Sequence, residues 1–137
     1  MKKVMFLCTG NSCRSQMAEG IAREYGKGTI EAYSAGLTPA GVNPHAIKVM
    51  KETGIDISDQ KSKAIDEKLL KQMDVIVTLC GHAEALCPMT PPGIKRIHIP
   101  VDDPVGSIGP EKEIMDAFRK ARDEIKEKIR HLIRDIG

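Results

Sequence analysis

Eight consecutive residues, Cys8-Thr9-Gly10-Asn11-Ser12-Cys13-Arg14-Ser15, hold the most concentrated chemistry in the chain. A cysteine followed, after five residues, by an arginine suits a short loop that wraps a tetrahedral anion. Between a strand and a helix, backbone N–H groups of such a loop turn inward, and the helix N-terminus adds partial positive charge. Cys8, at the start, would be the nucleophile, and the same amides would favour its thiolate form. Arg14 offers a planar fork for two oxygens of a phosphate-like ion. Ser15 is placed to donate a hydrogen bond to the thiolate, and Asn11 to hold the loop by side-chain to backbone bonds. Thr9, Gly10, Ser12 and Cys13 complete the anion-binding loop, with Cys13 read as a packing residue within it. The plainer alternative is a buried Cys8 ending a strand, Cys13 in the core and Arg14 in a surface ion pair. A bare match to this spacing arises often by chance; its place between an apolar run and an amphipathic one favours the anion loop.

Two more cysteines, Cys80 and Cys87, are separated by the six residues Gly81 to Leu86. A disulfide needs Cα atoms roughly 4.4–6.8 Å apart, which a short segment able to change shape can supply. Two ordinary buried cysteines, zinc ligands with His82 and His98, or a redox pair are all open on spacing alone. The spacing departs from the close paired ligands usual for zinc. His82 reads as a surface histidine, with a role in raising the thiolate fraction of Cys80 or Cys87 as the alternative. Asp103 precedes Pro104, which pushes it toward an extended conformation and can aim its carboxyl at the site as a general acid. A plain turn aspartate is the competing reading, and Asp102 is read as structural.

These residues need elements that bring them together. Val4 to Leu7 reads as a short buried strand leading straight into the loop. From Ser15, residues Met17, Ala18, Ile21, Ala22 and Tyr25 share one helical face, and Gly26 and Gly28 can end that helix. Ile30 to Ser34 alternate as a strand. Asn43-Pro44 resembles a helix cap with a first-turn proline, and Gly54 a C-terminal stop. Ile65, Leu69, Leu70 and Met73 suggest a short helix. Val75 to Leu79 is the clearest buried strand, and Ile97 to Val101 a weaker one because Pro100 limits its ladder bonding. After Gly109-Pro110, residues Ile114, Phe118, Ala121, Ile125, Ile129, Leu132 and Ile136 step by three or four along a long amphipathic helix. Strands alternating with helices imply an α/β fold with a parallel sheet covered on both faces. Such sheets bind ligands at the carboxyl ends of their strands, where Cys8, Cys80 and Asp102-Asp103 would all fall.

The 137 residues, 41% hydrophobic and 29% charged, suit one soluble domain, taken as residues 1–137. A net charge of +2 gives no reason to expect nucleic acid or an anionic membrane as partner. Apolar runs are too short to span a bilayer, and Val4 to Leu7 is too short for a signal peptide's core, so a cytoplasmic location is expected. There, cysteines tend to be buried, metal-bound or catalytic rather than structural disulfides.

The stretch Phe6-Leu7-Cys8-Thr9-Gly10-Asn11-Ser12-Cys13-Arg14-Ser15-Gln16-Met17-Ala18-Glu19-Gly20 closely resembles the thioredoxin-coupled arsenate reductases, which share their fold with the low-molecular-weight protein tyrosine phosphatases. The likeness continues through Tyr33-Ser34-Ala35-Gly36, Gly54-Ile55-Asp56-Ile57-Ser58, Val77-Thr78-Leu79-Cys80, Cys87-Pro88-Met89-Thr90-Pro91-Pro92, Asp102-Asp103-Pro104 and the final helix. The resemblance implies a three-layer sandwich with a four-stranded parallel sheet flanked by helices. It implies arsenate as substrate, Cys8 as nucleophile with Arg14, Asp103 as general acid, and a disulfide passed to Cys80 and then Cys87. It implies thioredoxin as reductant, no metal or bound organic cofactor, and a monomer.

Two departures stand out. Aromatic residues common just before the Asp-Asp-Pro segment in such reductases are replaced by Ile99, Pro100 and Val101, which should alter packing and not chemistry. Some relatives bind potassium through side chains matching Asn11, Glu19 and Ser34 plus an acidic residue near Lys63; a lysine there argues against cation stimulation. The rival functions are a tyrosine phosphatase, with no work for Cys80 and Cys87, and an anion-binding redox sensor. Weak phosphatase activity is expected beside reduction, because phosphate and arsenate share shape and charge.

Overall fold

A computed structural model of the chain describes residues 1–81, 90 and 92–136. Four strands, β1 (Lys2–Cys8), β2 (Ile30–Gly36), β3 (Val75–Thr78) and β4 (Lys95–His98), form one all-parallel sheet in the order β2-β1-β3-β4. Among the described residues the helices are α1 (Arg14–Tyr25), α2 (Pro44–Lys51), α3 (Glu67–Leu70) and α4 (Glu111–Ile136), with a 3-10 turn at Pro104–Gly106. The result is the expected sheet flanked by helices. Among the described residues no helix is long and apolar enough to cross a membrane.

β1 lies inside the sheet, paired to β2 and β3, so Val4 to Cys8 are buried on both faces. That explains why the run reads as unbroken hydrophobic residues without alternation. Met17, Ala18, Ile21 and Ala22 of α1 and Phe118, Ala121, Ile125, Ile129 and Leu132 of α4 close over the core. Asn43 caps α2 by accepting from the amides of His45 and Ala46, and Asp66 caps α3 in the same way.

Three local expectations shift. β4 begins two residues earlier than Ile97 and ends before Pro100. It is an edge strand, so the exposed or half-exposed Lys95 and Arg96 are tolerated there although they carry no hydrophobic signal. Beyond it, Ile99 and Val101 still donate to Thr78 and Leu79, stepping over the proline that has no N–H. Tyr25 is exposed, with Lys126 Nζ 5.3 Å from its ring centre. The helix near Leu69 is confined to one turn, because Ala64 is held in a parallel bridge to Gly36.

All three chemistry-bearing segments leave the carboxyl edge of the sheet. Cys8 ends β1, Cys80 follows β3 by two residues, and Asp103 follows β4 by five.

Candidate active site

Residues 9–13 run from β1 to α1 with their carbonyl oxygens turned outward. The carbonyl of Thr9 accepts from Thr38 N (2.8 Å), Gly10 from Ala40 N (2.9 Å), Ser12 from Asn43 N (2.9 Å) and Cys13 from Met17 N (2.8 Å). Gly10 also accepts from Ser62 Oγ, and the carbonyl of Asn11 accepts from the Gln16 side chain. With its acceptors committed to the surroundings, the loop presents its N–H groups to the interior of the turn. α1 has no side-chain cap at Cys13, so its first-turn amides add to the same anion site.

Asn11 makes the turn possible by adopting φ 45°, a left-handed conformation that asparagine tolerates better than most residues. Gly36, at the end of β2, lets the loop come close. A Cβ there would lie 2.6 Å from Asn11 N and 2.9 Å from Thr9 O.

Cys8 is buried, its sulfur 2.8 Å from Ser15 Oγ. Asn11 Nδ2 donates to that same Ser15 oxygen at 2.8 Å, so the Ser15 proton is left to point at sulfur. A thiolate at Cys8 thus has a hydroxyl donor beside it and the loop amides around it.

Arg14 is buried too. One terminal nitrogen donates to the Val101 carbonyl at 3.1 Å, and the other lies 3.5 Å from Asp103 Oδ2. Its Nε is buried and, among the described residues, has no partner. A buried guanidinium N–H with no acceptor is uncommon, and an oxyanion in the loop would satisfy it.

Cys8, Gly10, Ser12, Cys13, Arg14 and Asp103 line one cleft of about 230 Å³, with Ala40 and Val105 among its other walls. Cys13 forms part of the cleft wall. Burial, then the nearby Asp103 and Cys8, push its thiol up to about 12, outweighing Arg14. Its sulfur approaches Asp103 Oδ1 at 3.9 Å. Asp103 caps the 3-10 turn by accepting from Val105 N at 3.0 Å, which holds its carboxyl at the cleft edge.

Cys80 is buried, with its sulfur 3.4 Å from Thr9 Oγ1. A second thiol therefore sits at the border of the anion loop, against the residue that follows Cys8. Cys87 and His82 lie outside the described residues. His98 is on β4, its Nδ1 2.9 Å from Thr78 Oγ1.

Beneath the loop, Glu19 is a buried carboxylate that accepts from Ser34 Oγ at 2.5 Å. Arg23 pairs with its Oε2 at 2.7 Å and Lys63 Nζ approaches Oε1 at 3.7 Å. The Lys63 backbone amide also donates to Asn11 Oδ1 at 2.7 Å. Gln16, Gln60 and the Lys63 main chain hold the loop, yet nothing in their local sequence marks them. Gln60 and Lys63 act across 44 and 52 residues of chain, a separation that periodicity and motif spacing do not reach.

An anion loop with a buried cysteine and arginine, at the carboxyl edge of a four-stranded parallel sheet, defines a phosphatase-like class of site. The chain belongs to the low molecular weight phosphotyrosine protein phosphatase family, whose model matches residues 3–137. Within it, an arsenate reductase of Halalkalibacterium halodurans is 52% identical over 129 residues, covering 94% of this chain and 93% of the relative. A solved arsenate reductase in its oxidized state matches with a TM-score of 0.86 at 39% identity, each chain covered in full. The thioredoxin-dependent arsenate reductase of Corynebacterium glutamicum matches with a TM-score of 0.81 at 28% identity over 99% of this chain and 62% of its own.

Proposed function

We propose that this chain is a single-domain cytoplasmic enzyme that reduces arsenate to arsenite through Cys8, Cys80 and Cys87, with a thioredoxin-type dithiol as the final reductant. The observation that carries the reading is the second thiol, Cys80, set against Thr9 at the border of a loop built for a tetrahedral anion. A phosphatase of this fold has no need of it. The arsenate reductase relatives and the thioredoxin-dependent neighbour support the substrate and the reductant.

The chemistry proceeds in balanced steps. Arsenate occupies the loop amides, with Arg14 taking two of its oxygens. The Cys8 thiolate forms a bond to arsenic, and a hydroxyl departs as water with a proton from Asp103. The Cys80 thiolate then attacks the Cys8 sulfur. The sulfur–arsenic bond breaks, its electron pair stays on arsenic, and arsenite leaves with a Cys8–Cys80 disulfide behind. Cys87 attacks Cys80, freeing Cys8 and leaving Cys80–Cys87, which the outside dithiol reduces. The anion loop, the thiols and Asp103 carry the steps up to the Cys80–Cys87 disulfide, the outside dithiol supplies the final two electrons, and no step is assigned to a metal or bound organic cofactor.

The test is to mix reduced protein with arsenate, thioredoxin, thioredoxin reductase and NADPH, and to follow NADPH absorbance. Arsenate-dependent consumption that is lost in Cys8→Ser, Cys80→Ser and Cys87→Ser is expected. Consumption surviving Cys80→Ser would remove the relay. Phosphatase turnover without arsenate reduction would move the assignment to the phosphatases.

A further inference from the structure

We propose that Gln60 and Gln16 are positioning residues that fix, through Asn11 and Ser15, the direction of the hydrogen bond at the Cys8 sulfur. The inference rests on Cys8 being the nucleophile.

The argument runs backward from sulfur. Ser15 Oγ can give its proton to Cys8 because it receives one from Asn11 Nδ2. Asn11 presents that nitrogen to Ser15 only while its side-chain oxygen faces the other way, toward the amide of Lys63 and toward Gln16 Nε2 at 3.0 Å. Gln16 is fully buried, and its Nε2 also faces the carbonyls of Asn11 (3.0 Å) and Lys61 (2.9 Å). Turned over, it would set its own oxygen against three acceptors.

Gln60 secures that orientation. Its Nε2 donates to Gln16 Oε1 at 2.8 Å and to the Gln16 main-chain carbonyl at 3.0 Å. Each group in the row Gln60, Gln16, Asn11, Ser15, Cys8 is therefore a donor to the next and is oriented by the one before. The row is shielded from water at Gln16, Asn11 and Ser15, so no solvent molecule can repair a reversed link. A buried glutamine amide facing only other polar groups has no packing role that leucine or methionine would not fill better.

The row makes a claim on reactivity that plain structural support does not. Gln60→Met removes the first donor, keeps side-chain length, and touches no atom of the anion cleft. With the reduced protein at neutral pH, the rate of Cys8 alkylation by iodoacetamide is read by peptide mass spectrometry, and phosphate affinity by calorimetry. Gln60→Met is expected to slow alkylation roughly three- to tenfold, the scale of one lost buried hydrogen bond, while phosphate affinity hardly moves. Gln16→Met, which also frees the Asn11 carbonyl of the anion loop, is expected to slow alkylation as much or more and to weaken phosphate binding as well, and the double variant to be alkylated no more slowly than Gln16→Met alone, because members of one series do not add.

Unchanged alkylation in Gln60→Met, or losses that multiply in the double variant, would overturn the row. Should buried Gln16→Met fail to fold, the half-buried Gln60→Met carries the test by itself. Alkylation needs no arsenate. If alkylation responds as stated in a protein that turns over no arsenate, the row stands and the reductase reading fails. If arsenate is reduced and alkylation does not respond, the row alone fails.

Discussion

Arg14 and Asp103 meet across the cleft, the guanidinium 3.5 Å from Asp103 Oδ2. The arginine is nearly buried whereas the aspartate side chain is 48% exposed. The pair can therefore open at little cost when an anion competes for the arginine. A carboxyl released in this way stands at the cleft edge, still anchored by the amide of Val105.

Asp103→Asn keeps the size of the side chain and its bond from Val105 but removes the transferable proton. Arsenate turnover should fall about 100-fold or more. Phosphate binding, followed by calorimetry, should hold or tighten, since a negative charge beside the anion is gone. Undiminished turnover would take the acid role away from Asp103.

Glu19 already has cationic company. Arg23 and Lys63 both address its carboxylate, and Lys63 Nζ also bonds the carbonyl of Lys61. Turnover should therefore be the same in potassium and sodium chloride at equal ionic strength. A clear rise in potassium would show that a metal ion displaces the lysine.

Gly36→Ala puts a methyl group 2.6 Å from Asn11 N, against backbone that cannot yield without reshaping the anion loop. We expect about 1–3 kcal/mol of destabilisation in urea unfolding, together with loss of arsenate turnover. Full stability with full activity would mean the β2 end moves aside freely.

Acid should weaken the tie between α2 and α4. Hydrogen bonds from Arg119, then Arg122, hold the Glu52 carboxyl down to about 2 from an ordinary 4.5. Folding thus favours the carboxylate, so the contribution is complete above pH 4.5 and is lost as pH falls toward 2. Glu52→Gln should lower the melting temperature at pH 7, and the gap to the parent should narrow steadily below pH 4.5. A gap that stays constant down to pH 2.5 would exclude this ion cluster as its source.

The parts of the molecule legible from sequence are those whose cause is local. Val4 to Leu7 read as a strand buried on both faces, as the structure has it, and the Cys8 to Ser15 loop announces itself because cysteine, turn residues and arginine are contiguous. The final helix is equally plain, since Phe118, Ala121, Ile125, Ile129 and Leu132 keep step over its length. Where polar residues are tolerated at an edge, as at Lys95 and Arg96, hydrophobicity points to the wrong boundary. Tyr25 lies at the right period for burial and yet faces water, because it ends α1 beyond the reach of the core. Hidden altogether was the support under the loop. Gln16 looks like an ordinary helical residue and Gln60 like a loop residue until the fold puts one amide against the other.

The register of the sheet has one more consequence. Leu7 pairs with Thr78, and the amide of Leu79 bonds the carbonyl of Leu7, so Thr9 and Cys80 fall at the same level just past the ends of adjoining strands. Cys8 lies one residue below that level; with strands about 4.8 Å apart and a rise of about 3.3 Å per residue, such a diagonal pair falls within the span that two sulfur-linked α-carbons require. A phosphatase scaffold thus contains, by its own ladder spacing, a position from which one added thiol can reach the nucleophile. On the proposed relay, electron transfer would ask of this frame only a cysteine at a strand end and a partner cysteine, with the sheet left as it was.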